Sequence, residues 1–264
     1  MENLIPKMAF TFIESKPDEE IYEICIALKD VCGAVAKTTK VLSDAKVDIR
    51  TSTLFIAKGS TGLGYWTPFI DVSKATEGIK EIEENLNKLD VVQEVEVVKP
   101  KPLAYDVIHF PVMHGDSPAI IMPIEIFGSL FEEIEKTLMP SGFAAVFYNA
   151  GKKSGAYIAE LFSKKYGLKG QELISAFIQS TKATGWGQIE ELKLDSNRPF
   201  GKVRIRRCFE TIPSSSNKNR ECHWTRGVIA GLLSDVAGKP LDAVELKNAS
   251  SGDGTCEFEV RPKI

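Results

Sequence analysis

The sequence predicts a two-domain protein of mixed α+β or α/β type, in which a βαββαβ domain precedes a domain of helices packed on an antiparallel sheet. Its length of 264 residues exceeds the roughly 150 residues of an average domain. Hydrophobic residues make up 43% and charged residues 26%, values typical of folded, soluble chains. Apolar spacing alternates between strand and helix periods in the first hundred residues, whereas later helices come first and strands follow.

Charge and targeting signals narrow the function classes. The formal net charge of −3 gives no whole-protein attraction to nucleic acid or to anionic membranes. The N-terminus has no apolar signal-peptide core, and no stretch approaches the ~20 apolar residues of a membrane span. Five cysteines are an odd number without a secretion signal, so thiols or metal ligands are expected rather than disulfides. We expect a cytoplasmic protein that binds no membrane and does not bind nucleic acid directly.

A proline-rich run marks the domain boundary. The run Lys99-Pro100-Lys101-Pro102 contains two residues without a backbone N–H and cannot continue a helix. The sequence therefore predicts one domain at residues 1–100 and a second at residues 101–264.

The first domain shows four strand signals and two helix signals. The predicted order is strand Tyr22–Leu28, helix Ala34–Lys46, strand Ile49–Phe55, strand Tyr65–Val72, helix Ala75–Leu89 and strand Val91–Val98. Pro68 cannot donate to a ladder and predicts an edge position for the third strand. Ser73 is a candidate N-cap for the second helix. The order βαββαβ is that of a ferredoxin-like domain.

The strand that runs into Asp30-Val31-Cys32-Gly33 and then a helix resembles the ACT domain, over about residues 18 to 99. This resemblance implies a regulatory module that pairs with a second copy. It also implies an amino-acid ligand at the helix start, bound by Asp30, Val31, Gly33 and Ala34, because a glycine lets backbone N–H groups approach an anion. The alternative is an ordinary tight turn at Gly33.

The second domain begins with helices and ends with strands. Helices are predicted at 124–138, 143–166, 171–182 and 228–236, and strands at 188–194, 202–210, 241–246 and 256–260. Gly151 and Gly155 lie four residues apart and predict close packing against a neighbouring element. They do not form a phosphate-binding loop, because the G-x-x-x-x-G-K-[ST] spacing after a strand is missing.

One predicted strand places three basic residues, Lys202, Arg204 and Arg206, on one face. Such a face could meet phosphates. It is equally the solvated face of a half-buried sheet, which we favour because no helix-turn-helix or aromatic platform accompanies it.

The last third of the chain contains a specific motif: Cys222-x4-Gly227-x3-Gly231, then Glu245, then Gly252-Asp253-x2-Cys256-x-Phe258. With the Gly151–Gly155 helix, this motif resembles the 4-vinyl reductase domain over about residues 108 to 264. That family includes sensor domains of phenol-responsive activators, proteins of bacteriochlorophyll synthesis and relatives of a vesicle-tethering subunit. The resemblance therefore implies a ligand-binding fold.

The same resemblance implies a zinc site. Aromatic-sensing members use a cysteine, a glutamate and two further cysteines, which correspond here to Cys222, Glu245, Asn248 and Cys256. Asn248 departs from this pattern because an amide is a poor zinc ligand, so His223, Asn248 or Cys208 is the candidate fourth ligand. The alternative is that the cysteines are small core residues and Glu245 pairs with a basic side chain.

We expect a small-molecule-sensing regulatory protein, because no HExxH, GxSxG or dinucleotide fingerprint is present and no nucleotide cofactor is expected. An apolar or aromatic ligand would bind among the helices of the second domain. The candidate wall residues are Phe127, Phe131, Phe143, Tyr148, Tyr157 and Trp186. The signal would pass through a homodimer or a partner such as a transcription regulator. The alternatives are an accessory protein or enzyme of tetrapyrrole vinyl-group metabolism, and a protein-binding adaptor.

Overall fold

The structure, a computed structural model, describes residues 12–56, 62–101, 103–115, 117–195, 200–211, 221–249 and 254–263. Pro102, the Gly252-Asp253 pair and the predicted polar loop 213–220 lie outside the described residues. Contacts divide the chain into two compact units, Met1–Ile121 and Met122–Ile264.

The division between the units falls later than the predicted boundary at residue 100. Residues 101–121 belong to the first unit because Ala104–Tyr105 pairs with Phe12–Ile13 in an antiparallel ladder. The proline run therefore ends a strand without separating two folded units.

The first unit contains the predicted βαββαβ order. Its elements are β1 Phe12–Ile13, β2 Ile21–Lys29, α1 Ala34–Asp44, β3 Asp48–Ile56, β4 Leu63–Asp71, α2 Ile79–Asn87, β5 Val92–Val98, β6 Ala104–Tyr105, β7 Met113–His114 and β8 Ser117–Pro118. The main sheet has the antiparallel order β3-β4-β2-β5. This order is the ferredoxin-like arrangement, so the predicted fold is confirmed. Ile24 and Ile26 of β2 pack with Leu42 of α1 and Leu86 of α2 in the core.

Two local predictions for this unit are wrong. Pro68 lies in β4, an inner strand between β3 and β2, and not at the edge. The β2–β4 ladder is interrupted between the pairs Glu23–Phe69 and Ile26–Trp66, where Pro68 has no N–H to donate. Ser73 does not cap α2, because that helix begins at Ile79.

The second unit places helices on one four-stranded sheet. Its elements are α3 Ile124–Tyr166, α4 Gly170–Ala183, β9 Gln188–Leu194, β10 Gly201–Arg206, a 3-10 turn Phe209–Thr211, α5 His223–Ala237, β11 Leu241–Lys247 and β12 Thr255–Pro262. The sheet has the antiparallel order β11-β12-β10-β9, as predicted in kind. α3 leaves the helical conformation at Met139, directly before Pro140, which explains the two helices that the sequence predicts there.

Glycines let α3 and α5 pack backbone against backbone. A Cβ at Gly151 would overlap the carbonyl oxygen of Trp224, and one at Gly155 would overlap that of Val228. Gly231 of α5 meets the carbonyl oxygen of Lys152 in the same way. The prediction that Gly151 and Gly155 serve close packing is confirmed.

The basic face of β10 lies among acidic side chains. Arg206 Nη2 is 2.6 Å from Glu190 Oε1, and Arg204 Nε is 3.4 Å from Glu190 Oε2. Lys202 lies opposite Glu259 in the ladder with β12. These glutamates offset the positive charge of the face locally, as the solvated-face interpretation expects.

No helix in the described part of the chain is long and apolar enough to cross a membrane.

Candidate functional site

Three cysteines meet in the core of the second unit. Cys208 follows β10, Cys222 directly precedes α5 and Cys256 lies in β12, and all three side chains are fully buried. Cys222 Sγ is 3.4 Å from Cys256 Sγ and 3.7 Å from Cys208 Sγ. We call these three residues the thiol cluster.

Two carboxylates bind the backbone at the start of α5, beside the thiol cluster. Glu210 accepts hydrogen bonds from the N–H groups of Trp224 (2.9 Å) and Thr225 (2.8 Å). Glu245 Oε2 accepts the N–H of Cys222 at 2.8 Å. Both carboxylates thus satisfy N–H groups that have no partner within the helix, where the helix dipole favours negative charge.

Burial and contact set the protonation of this region. Burial raises the pKa of Glu245 to about 7, although the N–H of Cys222 favours its charged form. Burial also raises the pKa of Glu210 above its ordinary value, against its two N–H donors. Hydrogen bonds from the thiols of Cys208 and Cys222 lower the pKa of Cys256 to about 3. Among the three thiols, Cys256 is therefore the one that is held as a thiolate.

The thiol cluster has the dimensions of a zinc site. Zn–S bonds of about 2.3 Å in a tetrahedron place sulfur atoms roughly 3.8 Å apart, close to the 3.4 and 3.7 Å found here. The ligand atoms of Cys208, Cys222 and Cys256 all lie within 4.8 Å of one another. Three thiolate ligands leave a fourth position open.

The predicted ligand set agrees with the structure only in part. Cys222 and Cys256 lie together, but the group that approaches within 4.8 Å in the described chain has Cys208 as its third member and not Glu245. Asn248 Nδ2 donates to Glu245 Oε1 at 3.2 Å, so the amide positions that carboxylate. His223 Nδ1 lies 3.3 Å from Arg226 Nη2, away from the sulfur atoms.

An apolar pocket lies against the same helix start. It encloses about 320 Å³, including its opening to solvent, at the lower end of the range for ligand pockets. Its lining includes Phe177, Trp186, Ile205, Phe209, Trp224 and Ile229. The rings of Trp186 and Trp224 meet edge to face at 4.8 Å. Thr225 also lines the pocket, and its Oγ1 is 3.3 Å from Cys208 Sγ. The pocket and the thiol cluster therefore share a wall.

The predicted wall residues fall in different places. Trp186 lines the pocket. Phe127 and Phe131 lie behind it, with ring centroids 6.2 and 6.4 Å from that of the lining residue Phe209. Tyr148 lies outside the lining, because its hydroxyl donates to Asp242 Oδ1 at 3.0 Å. Phe143 contacts Phe147, and the side chain of Tyr157 is exposed.

The start of α1, predicted to contact an amino acid, is an exposed turn. Gly33 has φ 85°, and a Cβ there would meet no atom within 4 Å. Asp30 donates its N–H to the carbonyl of Gly62, and Ala34 donates to that of Val31. Gly33 therefore supplies a left-handed backbone conformation, and amino-acid binding at these residues stays a prediction.

Sequence reasoning found part of the site. Cys208 appeared there only as a possible fourth ligand, and Glu210 was not singled out. No local signal marks Glu210, because its partners Trp224 and Thr225 lie on the far side of a long loop.

A comparison with protein families identifies the end of the chain. Residues 202–262 match the family model of the 4-vinyl reductase domain. The chain contains a 4-vinyl reductase domain. The matched residues include the thiol cluster, Glu210 and the whole of α5, so the resemblance predicted from the cysteine motif is confirmed for this region.

Individual proteins show more distant similarity. An uncharacterized protein of Methanocaldococcus jannaschii, MJ0150, is 26% identical over 141 residues, which are 53% of this chain and 76% of that protein. The phenol-responsive sensory domain of the transcription activator PoxR, solved with phenol, aligns at 18% identity and a TM-score of 0.49, covering 58% of this chain and 80% of that one.

For the first unit, the ACT domain from GTP pyrophosphokinase of Chlorobium tepidum aligns at 29% identity and a TM-score of 0.26. That alignment covers 30% of this chain and 99% of the ACT domain. The ferredoxin-like fold of the first unit rests on its own sheet order, and its assignment as an ACT domain stays a prediction.

Proposed function

We propose that this protein is a small-molecule-sensing regulatory protein whose 4-vinyl reductase domain binds an apolar or aromatic molecule beside the thiol cluster. The observation that supports this most directly is the shared wall. Phe209, Trp224 and Thr225 line the pocket, and each lies next to a residue of the thiol cluster or touches one. A ligand that moves this wall would therefore act on the start of α5.

The chemistry of the pocket fits an aromatic molecule that has few polar groups. Two tryptophan rings and two phenylalanine rings offer edge and face contacts, and such contacts contribute beyond simple area burial. Thr225 and Thr181 supply the hydroxyls of the lining, so one hydroxyl of a ligand would find a partner.

The thiol cluster, in this proposal, holds zinc through Cys208, Cys222 and Cys256. The metal would join β12, the start of α5 and the turn after β10, and thereby stabilise the wall of the pocket. Glu245 lies beside Cys222 and would reach a metal only by giving up the N–H of that residue.

The output of sensing, also part of the proposal, passes through a homodimer or through a protein partner such as a transcription regulator. Binding of a ligand to one state of the protein shifts the balance between states, and a partner that distinguishes those states reads the change.

Calorimetric titration of the full chain with phenol tests the pocket, with cyclohexanol as the non-aromatic comparison. We expect heat with phenol and a rise in melting temperature. Phe177→Trp adds volume inside the pocket and should weaken binding by about tenfold or more. Phe162→Trp changes a residue that packs on the same core without lining the pocket, and should bind as the wild type does. No heat with phenol, indole or benzene would contradict the proposal.

A further inference from the structure

A polar cluster lies on the face of the first unit's sheet that α1 and α2 do not cover. Ile24 and Ile26 of β2 face the helices, so Glu23 and Cys25 face the other side of the sheet. Asp106 and His109, from the segment after β6, lie over this second face. We call Glu23, Asp106 and His109 the acid–histidine cluster.

The three side chains converge. One ligand atom from each lies within 4.8 Å of the others. Asp106 Oδ1 is 3.4 Å from His109 Nδ1 and also accepts the backbone N–H of His109 at 3.1 Å. Glu23 Oε2 accepts the N–H of Val107 at 3.1 Å, which ties the covering segment to β2.

Glu23 is the unusual member. Its side chain is 0% exposed, and its second oxygen, Oε1, is buried without a hydrogen-bond partner among the described residues. A buried carboxylate is normally paired or bound to a metal. Two neighbouring carboxylates, Glu23 and Asp106, stay in contact only if a proton or a cation lies between them.

The second nitrogen of His109 is held from behind. Nε2 is 3.4 Å from Thr67 Oγ1 and 3.6 Å from Cys25 Sγ, and the ring packs edge to face on Phe55. This leaves Nδ1 directed at Asp106. Metal-binding histidines are oriented in this way, with the nitrogen that does not bind the metal in a hydrogen bond.

We propose that Glu23, Asp106 and His109 form a binding site for a divalent first-row transition metal ion, such as Mn²⁺. Two carboxylates balance the charge of the ion, and oxygen with imidazole ligands suits Mn²⁺ better than thiolate does. Metal bonds of roughly 2.1 Å place neighbouring ligand atoms roughly 3 Å apart, so the cluster contracts modestly on binding. Asp106 and His109 are 22% and 26% exposed, which gives the ion access and leaves positions for water.

The site lies wholly in the first unit and is independent of the pocket in the 4-vinyl reductase domain. Its failure and the failure of the proposed function are therefore distinguishable. Mn²⁺ is the chosen probe because carboxylate and imidazole ligands bind it, whereas the thiol cluster favours softer ions.

Electron paramagnetic resonance of free Mn²⁺, titrated with the full chain, measures the binding. The expected result is one Mn²⁺ per first unit in the wild type. Glu23→Gln keeps an oxygen for Val107 but removes the charge, and should weaken binding by about tenfold or more. His109→Gln should do the same and decides the matter if Glu23→Gln does not fold.

Glu96→Gln is the matched control, because Glu96 is an exposed carboxylate opposite Cys25 on β5 and lies outside the cluster. This variant should bind Mn²⁺ as the wild type does. Three results would overturn the site: a wild type that binds no Mn²⁺, folded cluster variants with unchanged affinity, or an equal loss of affinity in the Glu96 control. The first would mean that a proton alone joins Glu23 to Asp106.

Discussion

The starts of α1 and α5 solve the same problem in different ways. α1 begins after Gly33 in an exposed turn, with no side-chain cap and no acidic residue in its first turn. α5 begins in the core, where Glu210 and Glu245 accept three of its N–H groups. The sequence predicted anion capture at α1, yet the structure shows it at α5. A helix start attracts negative charge wherever another element delivers it, and that delivery is not a local property.

The packing of α5 is the first way to test this difference, because α5 depends on α3 and α1 has no such contact. Gly155→Leu would force side-chain atoms into the carbonyl of Val228, and backbone atoms have little room to yield. We expect a loss of more than about 3 kcal/mol in the free energy of unfolding. Lys153→Leu, on the exposed face of α3, is the control. Thermal unfolding of both variants, followed by circular dichroism, gives the answer, and equal melting temperatures would refute the close-packing account.

Metal binding at the start of α5 provides a second test. Cys256→Ser should weaken zinc binding by about 100-fold or more, because a hydroxyl replaces the thiolate that the site favours. Cys32→Ser removes an exposed cysteine at the start of α1 and should leave zinc binding unchanged. Competition with a chromophoric chelator measures both. A wild type that takes up no zinc would leave the thiol cluster as core residues.

The carboxylate cap of α5 predicts a smaller effect. Glu210→Ala leaves the N–H groups of Trp224 and Thr225 buried without an acceptor, and should cost about 2 kcal/mol of stability. Glu160→Ala removes an exposed glutamate from α3 and should change stability little. Chemical denaturation of the two variants compares them, and a neutral Glu210 variant would show that the cap does not stabilise the helix start.

Gly33 predicts the smallest effect. Gly33→Ala forces a Cβ into the left-handed region at φ 85° and should cost about 1 kcal/mol. Gly33→Asn should cost less, because asparagine tolerates this conformation. If calorimetry shows an amino acid bound by the wild type and not by Gly33→Ala, the turn also serves a ligand, and the contrast with α5 weakens.

Local chemistry explains what the sequence could predict. The break before Pro140, the strand at 188–194 and the close packing at Gly155 follow from a missing N–H, a period of two and a missing Cβ. What it missed depends on pairings between distant residues. Pro68 lies inside the sheet because β2 and β3 pair on either side of β4, which no local pattern encodes.

Both clusters illustrate the same limit. Glu23 has the sequence pattern of the solvated half of an alternating strand, and only the segment 84 residues later, at Val107, buries it. The cysteine motif was visible because it resembles a known family, but Cys208 joined it through the register of β10 with β12. Residue spacing specifies single elements, whereas a site is specified by how the elements pair.

Native mass spectrometry of the full chain, purified without chelators, tests the central claim that the 4-vinyl reductase domain binds an apolar molecule beside its thiol cluster. We predict a mass above that of the bare chain, and a small organic molecule should be released on denaturation. Phe177→Trp should lose this molecule and Phe162→Trp should keep it. A wild type that has the bare mass, both as purified and after mixing with phenol, indole and benzene, would contradict the claim.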